Sequence, residues 1–170
     1  MTTYLTELEP GTYTIDLARS RCRLDATHAF GLKPVAATLA IRAGTVTIGA
    51  DPAASSASAS LDAASFRSDD AKRDKEVRGK RFLDAARHPV IAFRSTGCER
   101  AAIGWRMAGV LSVRGTDSDA TLTITGLTPT ANGYRCTATC TIDRVTAGVR
   151  AGRGIIARPV RITLDIHAVG

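Results

Sequence analysis

Along most of this chain apolar and polar side chains alternate one by one, the period of a strand whose two faces meet different surroundings. Residues 21–28 show it cleanly: Cys22, Leu24, Ala26 and His28 fall on one face, and Arg21, Arg23, Asp25 and Thr27 on the other. The same period carries Val35, Ala37, Leu39 and Ile41, then Ala57, Ala59 and Leu61 against Ser56, Ser58, Ser60 and Asp62. It returns at Ile91 and Phe93, at Ala120, Leu122 and Ile124, at Tyr134, Cys136, Ala138, Cys140 and Ile142, and at Val160, Ile162, Leu164 and Ile166. Residues 11–16, with Tyr13 and Ile15 on one side, open the series, and residues 105–113 form a further strand.

Punctuation between these runs predicts the connections. Phe30-Gly31-Leu32-Lys33-Pro34 combines both strong breakers and reads as a turn. Ala43-Gly44 predicts a tight hairpin connection to a short strand over residues 45–48, where Val46 and Ile48 point inward. Residues 97–104 and 114–118 read as a loop and a turn, and Asn132-Gly133 is a strong hairpin signal. Residues 144–158, rich in Gly and Arg, are too irregular for one strand. The alternation stops within RDKEVRGKRFLDAARHPVIAFRS, residues 73–95, and resumes only from Val90. Helix formers dominate residues 69–86, and His88-Pro89 forces an extended entry into the next strand, because proline disfavours helical geometry in the residue before it. A short helical crossover follows.

About nine strands, each apolar on one face, require a closed barrel or a sandwich. Three features favour the barrel: the inner face is rich in alanine (Ala37, Ala57, Ala59, Ala120, Ala138), aromatics are only 5% of the chain, and the helical crossover can cover one mouth. An eight-stranded barrel is just wide enough to be filled by side chains or to hold one small ligand, and small inner residues tilt it toward the ligand. The expectation is therefore all-β: an extended antiparallel, lipocalin-like barrel of about eight strands, forming one domain over residues 1–170.

The order Arg73-Asp74, Arg78, Phe82, Asp84, Pro89, Phe93, Ser95 resembles the signature of the YceI-like polyisoprenoid-binding proteins, and the resemblance begins at Tyr13 to Asp16 and runs over nearly the whole chain. Glu76 stands where histidine is usual in that family, and Arg81 where the residue is usually acidic. The resemblance implies a lipocalin-like barrel with a lipid in its lumen, and many of its members are exported. His28 matches a histidine that recurs in the family, which implies a polar group in or near the lumen.

The net charge of +7 and a sequence pI near 9.7 admit nucleic acid, an anionic membrane or an anionic ligand as partner. The arginines are scattered, however, and the one dense run, residues 67–87, carries eight basic against five acidic side chains, which reads first as a solvated face. Residues 1–10 contain Glu7 and Glu9 and no apolar core, so neither a signal peptide nor a span is expected there, and the expected compartment is the cytoplasm. The four cysteines fit that expectation as reduced thiols. Cys136 and Cys140 on one strand face would be roughly 13 Å apart at about 3.3 Å per residue, beyond disulfide reach. Neither they nor the dispersed histidines match zinc spacing, so no metal is expected.

No catalytic constellation emerges: there is no Gly-x-Ser-x-Gly, no phosphate-cradling loop and no His-Glu-x-x-His. Asp74 with Arg73 or Arg78 reads as a structural ion pair holding the crossover to the barrel. The function expected from pattern and resemblance together is non-enzymatic binding, storage or transport of a long isoprenoid lipid, a polyprenyl chain or an isoprenoid quinone. Phe30, Ala37, Leu39, Ala59, Phe66, Phe82, Phe93 and Ala138 are the expected wall, and His28 and Arg78 the expected polar contacts. No other cofactor and no nucleic acid are expected, while transient membrane contact and a homodimer are. The competing reading is a basic surface module for nucleic acid or anionic membrane. An enzyme acting on an isoprenoid is a third reading with no residue to nominate.

Overall fold

A computed structural model describes residues 8–28, 33–152 and 157–170, with only the backbone at His28. Phe30 and the side chain of His28 therefore lie outside the described residues. The strands are β1 (Gly11–Ile15), β2 (Arg21–His28), β3 (Lys33–Ile48), β4 (Ser56–Arg67), β5 (Val90–Arg100), β6 (Trp105–Val113), β7 (Thr116–Thr130), β8 (Gly133–Asp143) and β9 (Pro159–Val169). All ladders are antiparallel, and from β2 onward each strand pairs with its sequence neighbour.

The sheet closes because β2 also pairs with β9, Leu24 facing Ile162. β1 occupies the remaining length of the same position: Tyr13 faces Val46 of β3, and Ile15 faces Ala168 of β9. Nine strands thus make eight barrel positions, one of them broken by the turn at residues 16–20. Asp16 holds that break, its Oδ1 accepting from the Ala18 N–H at 3.0 Å, and the buried Ser20 hydroxyl accepts from the His167 N–H at 3.0 Å. Closure removes the long open edge that sheets otherwise expose.

Two expected connections are absent, for one physical reason. β3 runs unbroken through Ala43-Gly44, and β5 runs through Gly97 to Arg100. Each carries a register shift, between Ile41 and Ala43 in β3 and between Ser95 and Gly97 in β5. A bulge inserts one residue and so moves the inward set from odd to even numbers without turning the chain. That slip separates inward Ile41 from inward Val46, and Phe93 from Cys98. At Gly44 a Cβ would meet Cδ1 of Ile15, so any larger residue there would oblige the Ile15 side chain to move. The turn expected over residues 114–118 is tighter, with Arg114 and Gly115 both at positive φ (50° and 72°) and β7 starting at Thr116. This is the two-residue primed geometry that matches strand twist.

The crossover is helical only over α1 (Ala71–Arg78). Asp70 caps it by accepting from the Lys72 and Arg73 N–H groups at 3.0 and 3.2 Å, contacts that lower its carboxyl pKa, the Arg73 N–H most. Gly79 ends it. What plugs this end of the barrel is the segment that follows, where Phe82 and Ala85 are buried and Leu83 packs on the core. Asp84, at φ 48°, turns that segment, and its carbonyl accepts from the Arg87 and His88 N–H groups.

Candidate ligand-binding lumen

The inward faces do not meet. Between them lie two chambers that share Leu61, Ile91, Leu111 and Ile162 as a common waist. The distal chamber, away from α1, has a volume of about 160 Å³ and is walled by Ala57, Ala59, Phe93, Trp105, Met107, Leu122 and Ala138 among others. Two serines reach its rim, and both hydroxyls are engaged elsewhere: Ser55 accepts from the Gly49 N–H at 3.1 Å, and Ser58 lies 3.4 Å from the Thr45 hydroxyl. The mouth chamber, about 380 Å³, lies under α1 and is walled by Ala37, Leu39, Phe66, Val77, Phe82 and Val149, with Arg73, Glu76, Arg81 and Arg144 at its border. Arg81 and Glu76 are themselves exposed, so the chamber reaches solvent beside them.

The structure thus places Ala37, Leu39, Phe66 and Phe82 on the mouth chamber and Ala59, Phe93 and Ala138 on the distal one. Arg78 is not on the wall of either chamber. Its Nε donates to the Phe66 carbonyl at 2.8 Å and its Nη2 to the same oxygen, which ties α1 to the end of β4. The expected ion pair of Asp74 with Arg73 or Arg78 is also corrected. Asp74 is buried and its Oδ1 accepts from the N–H and hydroxyl of Ser68, at 2.8 and 2.6 Å, while Arg73 pairs with Asp69 at 3.1 Å. Arg73 reaches the same loop, its Nη1 also donating to the Ser68 hydroxyl at 3.3 Å, so both side chains meet the loop rather than each other.

Two arginines that no motif or pattern singles out shape the mouth. Arg144, buried in the loop after β8, donates its Nη1 to the Val149 and Ala151 carbonyls at 2.8 and 2.6 Å and its Nε to Ala157 at 3.1 Å. Arg114 donates to the Phe82 carbonyl at 2.7 Å, so the β6–β7 turn holds the plug. A guanidinium offers five donors in a rigid fork, which suits it to gather carbonyls that the sheet leaves unpaired.

All four thiols are free. Cys98, Cys136 and Cys140 line the distal chamber, and Cys22 packs behind the mouth chamber in the core. Burial pushes the Cys22 thiol up to about 12, with Cys140 adding to it, and Cys136 up to about 11, with Asp165 adding to it. Cys98 and Cys140 also move upward, chiefly by burial. The wall thus presents neutral, weakly nucleophilic sulfur.

A model of the YceI-like domain matches residues 13–168. The chain belongs to the YceI-like family. A UPF0312 protein of Yersinia pestis is 31% identical over 120 residues, an alignment that covers 68% of this chain and 56% of that protein. The chain therefore spans little more than half the length of the curated relatives it matches. Among solved structures, Burkholderia cenocepacia BcnA superposes with a TM-score of 0.81 at 23% identity, over 92% of this chain and 99% of that one. A polyisoprenoid binding domain from Saccharophagus degradans superposes with a TM-score of 0.67 at 13% identity, over 93% and 98%. These likenesses establish the closed eight-position β-barrel as a shared fold.

Proposed function

We propose that this barrel binds a long isoprenoid lipid, a polyprenyl chain or quinone tail, inside its lumen and carries or stores it without transforming it. The observation that carries the reading is the continuity of two alanine-rich apolar chambers through one waist, a shape suited to a thread. Each buried methylene contributes about 0.8 kcal/mol, so such a chain gains affinity with little directional chemistry. Together the chambers, of about 160 and 380 Å³, fall within the roughly 300–1,000 Å³ of ordinary ligand sites. The Saccharophagus degradans neighbour, described as polyisoprenoid binding, supports the same ligand class. A wall of hydrocarbon and neutral thiols favours carriage over catalysis. Free cysteines agree with work in a reducing compartment, the cytoplasm. Ala37, Leu39, Ala59, Phe66, Phe82, Phe93 and Ala138 are the proposed wall. Mass spectrometry of an organic extract of the purified protein tests the reading: a stoichiometric isoprenoid is expected, and a clean extract from protein whose lumen also takes up no added isoprenoid refutes it.

Transfer at an anionic bilayer belongs to the same proposal and has its own support. In the described connections at the α1 end, residues 68–89, 114–115, 144–152 and 157–158, eleven basic side chains stand against five acidic ones. At the opposite end, residues 8–10, 49–55, 101–104 and 131–132, only Glu9 and Asp51 are charged. The mouth chamber thus opens at the basic end. Binding to vesicles containing anionic lipid should weaken steeply with salt, while ligand binding in the lumen stays nearly constant. A homodimer is the proposed assembly, and light scattering tests it.

A further inference from the structure

Residues 8–10 lead into β1 without joining its ladder, which starts at Gly11. Among the described residues two hydrogen bonds hold them, and both run to tyrosine hydroxyls. The Tyr13 hydroxyl donates to the Glu9 carbonyl at 2.8 Å, and the Glu9 N–H donates to the Tyr134 hydroxyl at 2.8 Å. Tyr13 on β1 and Tyr134 on β8 are buried, and their rings meet edge-on with centroids 5.4 Å apart. To reach both hydroxyls, the chain turns from the rim back across the end of the barrel opposite α1. Leu8 thereby borders the distal chamber and packs on the cluster around Tyr13, Ile15 and Ile166, while Glu9 and Pro10 stay exposed. A segment with one apolar anchor and no ladder belongs to the low-stability end of a fold, where local opening costs little.

We propose that residues 8–10 are a strap over a second mouth of the lumen, and that its release at Glu9 lets a guest enter and leave by this end. The proposal rests on the lumen reading above and adds to it a route, not a ligand. The chamber wall supports it. Leu8, Pro52 and Leu127 border the distal chamber at this end, so lifting Leu8 removes a piece of the wall and leaves the chamber open there. The rim supports it as well. In its described connections only Glu9 and Asp51 are charged, and Ile103, at the tip of the β5–β6 hairpin, is 77% exposed. A hydrocarbon crossing this rim strips water from few charges, whereas the α1 end carries the basic collar and the plug that Arg114 holds at the Phe82 carbonyl.

The test follows diphenylhexatriene, a thread-shaped hydrocarbon that fluoresces only out of water, into and out of the delipidated full chain by stopped flow. Combining Tyr13→Phe with Tyr134→Phe keeps both rings and deletes the two hydroxyls that hold Glu9, and neither ring borders a chamber. Uptake and release should both accelerate roughly ten- to thirtyfold, the factor that two net hydrogen bonds support, with Kd nearly unchanged. A gate speeds both directions, whereas a damaged wall speeds release alone. Leu8→Ala, which leaves the tyrosines in place, should also accelerate both. In wild type the Glu9 amide should exchange with deuterium well before the amides of β8, a readout that needs no variant. Unaltered rates in both variants, release alone accelerating, or a Glu9 amide that exchanges only with global unfolding would overturn the strap while leaving the lumen reading intact. Wild type that takes up no probe would overturn both.

Discussion

Replacing Ala138 with Trp separates a lumen from a packed core. Ala138 is 5% exposed, packs with Met107 and Leu122, and sits between Ile124 of β7 and Leu164 of β9, facing the distal chamber. In a close-packed interior an added indole would displace neighbours at a cost of about 1–3 kcal/mol. Here the chamber receives most of the ring and the flexible Met107 side chain can give way, which puts the expected cost near 1 kcal/mol. For a domain of this length 1 kcal/mol moves Tm by about 2–4 °C. A ligand at a hundred times its Kd stabilises by about 2.7 kcal/mol, so saturated wild type should melt roughly 5–11 °C higher than its ligand-free form. Calorimetric melting of delipidated protein, with and without added isoprenoid, reads both effects. The variant should melt within a few degrees of ligand-free wild type, as the ~1 kcal/mol cost implies, and show no rise on adding ligand. An insoluble or strongly destabilised variant, or one with the full ligand-dependent rise, would refute the placement of this side chain on an open lumen.

Other consequences can be checked in parallel. Arg144→Leu leaves the Val149, Ala151 and Ala157 carbonyls without their charged donor, and should cost at least about 3 kcal/mol in urea unfolding while opening residues 144–158 to proteolysis. Gly104→Ala should destabilise by more than the ~1–2 kcal/mol of a left-handed residue, because Gly104 has φ 71° and a Cβ would also strike the Ile124 carbonyl. All four cysteines should react with a thiol reagent after unfolding without reductant, and only slowly before it. Burial raises the folded Cys22 pKa from 9.0 to about 12, so the neutral thiol's contribution is complete below pH 9 and is lost as pH rises toward 12. Cys22→Ala should flatten the fall of stability across that window, and an unchanged slope would argue against the buried thiol as its source.

How much of this was legible in the sequence follows from the range of each interaction. Alternation is local, so the faces of β2, β4, β7, β8 and β9 could be read directly, and with them most of the alanine-lined wall. The family motif around residues 73–95 supplied the ligand class that alternation alone leaves open. Phase slips were legible too, but their meaning was not. A slip between Ile41 and Val46 is produced equally by a hairpin and by a bulge, and only the pairing of both halves of β3 along one β4 shows which. Closure likewise depends on β1 and β2 sharing one position against β9, a partner more than a hundred residues away. The polar groups of the site were the least legible. Arg114 and Arg144 bind backbone carbonyls, which every residue carries, so no pattern of side chains marks them. Asp74 stands in sequence beside Arg73 but turns to Ser68, because strand and helix geometry sets its direction. Trp105 lies in a strand whose faces were not assigned from the sequence, and its unpaired N–H becomes visible only when the structure around it is assembled, since whether a donor is satisfied is a property of its surroundings and not of its place in the chain.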